Sequence, residues 1–226
     1  MSPRLTVLLL FVLCAPVWSK GDFASFVPPG WLLLDKAQGD LAGEGRQDVA
    51  LVIAQNDPER IKENKEGLGS ETINTNPRAL LILFQEVGGA FRLVLTHKTM
   101  IPPEGDEHSP CLADPFQSVA ITKGRLILSY QSWSSCGTWS ASQFETIFRY
   151  EKETQGFRLI GAQRTDFHRA TGEGTHTSTN YLTGKKKITK THMGDDGSAK
   201  PHVAWTKTSC HEPVYLHQME GFFPPE

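Results

Sequence analysis

The chain has 226 residues and a mass of 25.1 kDa, enough for one substantial core or two small ones. At 38% hydrophobic and 21% charged, with a mean hydropathy of -0.33, it has the composition of a soluble globular protein, which excludes a multi-pass membrane protein and a disordered chain. A formal net charge of -2, with both signs mixed, is too mild to imply a nucleic-acid partner.

The N-terminus reads as an export signal. Arg4 precedes an apolar block at 5–14, and Val17 and Ser19 occupy the minus-three and minus-one places of a cleavage before Lys20. An apolar run of about ten residues is too short for a bilayer span, which needs roughly 20. Removing 1–19 leaves a single all-β domain, 20–226, periplasmic or secreted and without a transmembrane segment. A lipoprotein would begin at Cys14, but Leu13 stands where a small residue is expected. Three cysteines then remain, and in an oxidising compartment two of them pair. The favoured pair is Cys111 with Cys136, because the residues between them contain one hairpin that returns the chain near its start. Cys210 is left over in a polar tail beside His211 and Glu212.

From Lys20 onward the periodic signal is that of strands. Residues 48–54 (DVALVIA) and 79–84 (ALLILF) are short apolar runs of the kind produced by a sheet buried on both faces. The second run enters 85–90, with Gly88 and Gly89 at its tip, and returns as 91–95. Further hairpins are predicted for 118–121 with 125–130, for 144–150 with 157–162, and for 176–182 with 185–191, the last turning at Thr183 and Gly184. Successive hairpins require only adjacent antiparallel pairing. The predicted fold is therefore all-β, in an up-and-down, propeller-like or sandwich arrangement with little helix. Asp57, Pro58 and Glu59 offer a cap, a proline at the first helical place and a first-turn acid, predicting one or two turns with Gly67 as the stop. They fall within a polar excursion, 55–77. A second irregular stretch, 102–115, carries four prolines and Cys111, and excursions of this length tend to be functional or mobile. An irregular C-terminal tail closes the domain.

One segment has the layout of a metal loop. Residues 39–52 read GDLAGEGRQDVALV, in which Asp40, Glu44 and Asp48 could offer carboxylates and Arg46 a backbone carbonyl, around the turning Gly45. The segment resembles the calcium loop of FG-GAP and VCBS repeats from integrin-like β-propellers, an acid-rich turn leading directly into an apolar strand. That resemblance implies calcium as the cofactor, with Asp40, Glu44, Arg46 and Asp48 as its ligands. Ala42 occupies a ligand place without a side-chain oxygen, which should weaken binding below the roughly 10⁻⁴ to 10⁻³ M typical of extracellular calcium modules. The other reading is that Asp40 and Asp48 hold the loop by accepting backbone hydrogen bonds, as aspartates do in turns. The loop occurs once, whereas a propeller needs several similar blades. The whole chain also resembles a group of exported bacterial proteins that share the phrases VPxGW, here at 27–31, and NYLTGKK, here at 180–186. This resemblance implies the compartment and a single domain, and supplies no activity.

Other constellations are weaker. Six of the eight histidines follow residue 167 (His168, His176, His192, His202, His211 and His217), without zinc-signature spacing. Asp166 and Glu173 form an acid pair, but carboxylates become catalytic only at a set separation across a cleft. No nucleophile elbow, S-x-x-K motif or phosphate loop occurs. Residues 129–142 (SYQSWSSCGTWSAS) set Tyr130, Trp133 and Trp139 among six serines. Exposed aromatics flanked by hydroxyls suit a sugar ring or an extended polymer; alternatively the tryptophans plug the end of a sheet. Lys185, Lys186, Lys187 and Lys190 form a basic cluster, either a solvated hairpin protecting its edge or a site for an anionic surface. The expected function is an exported non-catalytic binding or interaction module for an envelope or extracellular ligand, glycan or protein. The alternative is a cell-envelope hydrolase of unrecognised type.

Overall fold

The computed structural model describes residues 23–65, 67–193, 199–210 and 212–224. The expected leader, 1–19, lies outside the described residues. Strands follow in chain order: β1 (Trp31–Gly39), β2 (Asp48–Gln55), β3 (Ile61–Glu63), β4 (Thr72–Asn74), β5 (Arg78–Gln85), β6 (Phe91–His97), β7 (Phe116–Thr122), β8 (Arg125–Ser132), β9 (Ser140–Glu151), β10 (Gly156–His168), β11 (Gly174–Asn180), β12 (Lys185–Met193) and β13 (Ala199–Lys207). Helix is confined, among the described residues, to three 3-10 turns: Ala24–Phe26, Pro58–Arg60 and Leu216–Gln218. The second begins as the sequence predicts, Asp57 accepting the Glu59 amide at 3.0 Å ahead of Pro58, but it stops after one turn because Ile61 is already extended and enters β3. No helix among the described residues is long and apolar enough to cross a membrane.

The strands form a four-stranded sheet in the order β1-β2-β5-β6, a seven-stranded sheet running β7 to β13 with each strand beside its chain neighbour, and the small pair β3-β4. Every pairing is antiparallel. The predicted all-β, up-and-down fold is the observed one. The two larger sheets share a core, which makes the arrangement a sandwich rather than a ring of blades.

The two apolar runs become the central strands β2 and β5, buried on both faces as expected. Ala50, Val52, Leu80, Ile82 and Phe84 point into the sandwich against Leu126, Leu128, Phe148, Phe157 and Leu159 of the larger sheet. Val49, Leu51, Ile53, Leu81 and Leu83 point the other way and are covered by Phe23, Phe26, Val27, Trp31 and Phe91. Each valine, leucine, isoleucine or phenylalanine among them contributes about 1.5–3 kcal/mol on burial, so this doubly covered pair anchors the fold. At one corner β1 meets β7, where Asp35 accepts the Val119 amide at 2.9 Å.

The C-terminal region departs from the irregular tail that the sequence suggests. Its first part is β13, an added edge strand. The remainder straps back across the sandwich: the Leu159 amide donates to the Val214 carbonyl at 2.8 Å, Leu216 and Met219 enter the core, and the Phe222 ring stacks on Tyr130 and Phe144.

A candidate binding cleft braced by two long loops

The two polar excursions, 55–77 and 102–115, lie against each other at one end of the sandwich. Their brace is Arg78, the first residue of β5. Only 5% exposed, its guanidinium donates to both oxygens of Asp114, at 2.7 and 2.8 Å. A buried cation requires such a partner, and the fork geometry of arginine fixes the loop in orientation as well as position. Asp114 Oδ1 also accepts the Phe116 amide at 2.9 Å, joining the loop to the start of β7. Between the excursions, Lys62 pairs with Glu107 at 2.5 Å, Asn74 donates to Glu104 at 3.0 Å, and the Gly105 amide donates to the Asn74 carbonyl at 2.9 Å. At Gly69, with φ at +85°, a Cβ would lie 2.1 Å from the Pro110 carbonyl oxygen, so only glycine allows this approach. The expected disulfide, Cys111–Cys136, ties the same loop to the segment after β8, where the Ala113 amide also donates to the Trp133 carbonyl at 2.9 Å.

These braces leave a cleft of about 670 Å³, within the range of small-molecule sites. Pro102, Pro103, Leu112, Pro115, Phe144, Phe222 and Phe223 form its walls. The carboxylates on its rim are committed: Glu104 to Asn74 and Arg78, Glu107 to Lys62, and Asp106 to the His108 amide. Gln131 spends its amide on the Asp114 carbonyl. The cleft therefore offers apolar faces and a polar edge.

Next to the cleft lies the aromatic segment. Trp133 is 39% and Trp139 62% exposed, and the structure brings them together around Arg169, which follows β10. The guanidinium carbon lies 4.1 Å from the Trp133 ring centre and 5.7 Å from that of Trp139. Nη2 donates to the carbonyls of Ser134 and Thr138, at 2.8 and 2.6 Å, and the Arg169 amide donates to the Trp139 carbonyl. Arginine thus fastens the serine-rich loop and leaves indole surface facing solvent. Tyr130 corrects the expectation of a third exposed aromatic. It is 1% exposed, its hydroxyl donates to the Met100 carbonyl at 3.0 Å, and burial pushes its pKa far up. In β8 it shares the inward face with Leu126 and Leu128, so alternation alone was enough to place it inside.

In the 39–48 loop, Asp40 accepts the amides of Glu44 and Gly45, at 2.9 and 2.8 Å. Asp48, 1% exposed, accepts those of Leu41 and Ala42 on one oxygen, both at 2.9 Å, and that of Gln85 on the other, at 3.0 Å. Glu44 pairs with Arg46 and with Lys152, and Arg46 also donates to the Gln85 carbonyl. The carboxylates that a calcium ion would need are engaged by backbone amides and by cations of the chain, and Ala42 supplies no oxygen. These contacts make the segment a turn that joins the entry of β2 to the end of β5.

The remaining candidates lie outside the cleft. Among the described residues no three His, Cys, Asp or Glu side chains converge as a metal site. His176 bonds with the Thr165 hydroxyl, His192 pairs with Glu173 at 3.5 Å, and His211 lies outside the described residues. Burial would raise the pKa of Asp166, but hydrogen bonds from Arg164 and Ser142 outweigh it and hold the carboxyl below its usual value. Asp166 and Glu173 thus line one shallow pocket but are held by different partners. Cys210 is a free, half-buried thiol. No family model, curated protein or solved structure matches the chain.

Proposed function

We propose that this protein is an exported, non-catalytic binding module that seats a glycan chain in the cleft between 102–115 and Phe222–Phe223, with Trp133 and Trp139 as a second aromatic surface beside it. The observation that carries this reading is the cleft: apolar and aromatic walls suit the CH faces of sugar rings, while committed carboxylates and the hydroxyls of Thr75 and Ser132 border them. The Cys111–Cys136 disulfide supports a compartment outside the reducing cytosol, where the segment 1–19 would direct the chain. On the same reading the 39–48 loop is a brace, and binding needs no calcium.

Titration of the protein with soluble oligosaccharides from cell envelopes, followed by tryptophan fluorescence, tests the proposal. Saturable binding is expected, weakened about tenfold or more by Phe223→Ala or Trp139→Ala, the loss of one exposed aromatic anchor. Circular dichroism should show both variants folded. Binding of peptides alone, or turnover of the oligosaccharide, would replace this reading with a protein-binding module or a hydrolase.

A further inference from the structure

At the far end of the seven-stranded sheet, β11, β12 and β13 form an arm in which no described side chain is buried. These strands contain Lys185, Lys186, Lys187, Lys190, Lys200 and Lys207 and no aspartate or glutamate, in a chain whose formal charge is -2. The acids nearest in sequence, Asp195 and Asp196, lie outside the described residues. None of the six lysines forms a salt bridge among the described residues; the ion pair at this end joins His192 to Glu173.

The register sorts these residues by face. Lys185 lies opposite Lys207, Lys187 opposite Trp205, and Thr189 opposite Val203. Side chains of directly paired residues share a face, and residues two apart along a strand share it too. One face of the arm therefore carries Lys185, Lys187 and Lys207 together with Met193, Val203 and Trp205. All three of these apolar side chains are exposed, Trp205 at 66%. The Lys187 ammonium lies 6.0 Å from the Trp205 ring centre. Continuing inward across β11 and β10, the face presents Ser178, His176, Gln163 and Thr165, and its first carboxylate is Glu145 on β9. Two lysines directly opposite each other destabilise a sheet unless an outside anion meets them. An exposed tryptophan beside them has no role in a core that the arm does not reach.

We propose that this face of β11–β13 docks on a lipid bilayer bearing anionic headgroups, with Trp205, Val203 and Met193 entering the headgroup–acyl boundary and Lys185, Lys187 and Lys207 meeting the lipid charge. Lysine attraction to an anionic leaflet and indole insertion at its boundary are the two ingredients of peripheral attachment. A soluble polyanion would engage the lysines and leave the apolar side chains in water. A second copy of the chain would bring two cationic faces together, and the free edge of β13 is guarded by Pro201, which has no N–H to donate, and by Lys200 and Lys207. The proposal is independent of the cleft.

Co-sedimentation with vesicles of phosphatidylcholine, and of phosphatidylcholine with phosphatidylglycerol, tests it. The full chain is expected to bind the anionic vesicles alone, with a blue shift of tryptophan fluorescence that Trp205→Ala removes. Lys187→Ala should weaken binding about fivefold, and Lys185→Ala, Lys187→Ala and Lys207→Ala combined about a hundredfold. Salt at about 1 M, where the Debye length falls to about 3 Å, should release the protein. If Trp205→Ala lowers folded content by circular dichroism, the lysine variants carry the test. Equal binding to both vesicle types, or none to either, overturns the proposal. So does capture by soluble polyphosphate without vesicle binding, or a dimer in light scattering that Val203→Lys dissociates.

Discussion

The sandwich and the arm are made from the same antiparallel ladder, yet different forces hold them. In β2 and β5 all but the final residue of each strand is buried, and both faces of the sheet are covered. In β11 and β12 no residue is buried, and Lys200 to Lys207 of β13 are exposed throughout. The sandwich draws its stability from apolar area removed from water, whereas the arm extends a sheet already nucleated by β7–β10 and adds backbone hydrogen bonds at solvated faces. The contrast shows where the chain is free to vary its surface: side chains on the arm answer to what lies outside the molecule, and those of β2 and β5 to each other.

The largest effect that separates the two regions should come from truncating their apolar side chains. Phe148→Ala, in the sandwich core, is expected to cost about 4 kcal/mol by urea unfolding, and Ile188→Ala, on the arm, less than about 1 kcal/mol. Comparable losses would mean that the arm is packed as tightly as the core. The polar groups sharpen the contrast. Asp48→Ala leaves the amides of Leu41, Ala42 and Gln85 without their acceptor inside the fold and should cost about 3 kcal/mol, against under about 0.5 kcal/mol for Lys190→Ala. Millimolar calcium should leave the melting temperature of the parent where it is. A rise that Asp48→Ala abolishes would make the loop a cation site after all.

How much of this was legible in the sequence follows the same division. Strands that bury side chains leave a pattern: β2 and β5 as unbroken apolar runs, and β8 as the alternation of Leu126, Leu128 and Tyr130. β1 and β13 leave none. A bulge between Leu33 and Asp35 breaks the period of β1, and its leucines 32–34 face water; β13 has no inward face to be apolar. At the candidate site, the long excursions and the Cys111–Cys136 pair were readable from prolines, polarity and spacing. The Arg78–Asp114 brace that holds them was not, because a single arginine abutting an apolar run looks the same whether its partner is water or a loop 36 residues away. Trp133 and Trp139 were visible as types, but Arg169, which sets their geometry, comes from a turn 30 residues beyond Trp139 that no local pattern connects to them.

The smallest expected effect concerns a titration inside the sandwich. His97, at the end of β6, is buried, and its Nδ1 accepts the amides of Met100 and Thr99 at 3.2 and 3.4 Å. Burial lowers its pKa below 6.5 and the charge of His217 adds to this, while hydrogen bonding with the backbone of Leu216 and Met219 opposes it without cancelling it. The neutral ring thus joins β6 to the C-terminal strap, the segment that carries Phe222 and Phe223 to the cleft. Because the unfolded chain takes up this proton at the ordinary value and the folded chain only at lower pH, the unfolded state binds more protons in between. The contribution of His97 is therefore complete above pH 6.5 and is lost as pH falls toward the depressed folded value. Urea midpoints measured from pH 7.5 down to 5.5 should decline more steeply in the parent than in His97→Gln, and parallel declines would assign the acid sensitivity to another group. Since the strap bears two walls of the cleft, ligand affinity should weaken over the same interval in the parent, whereas vesicle binding by the arm should not weaken.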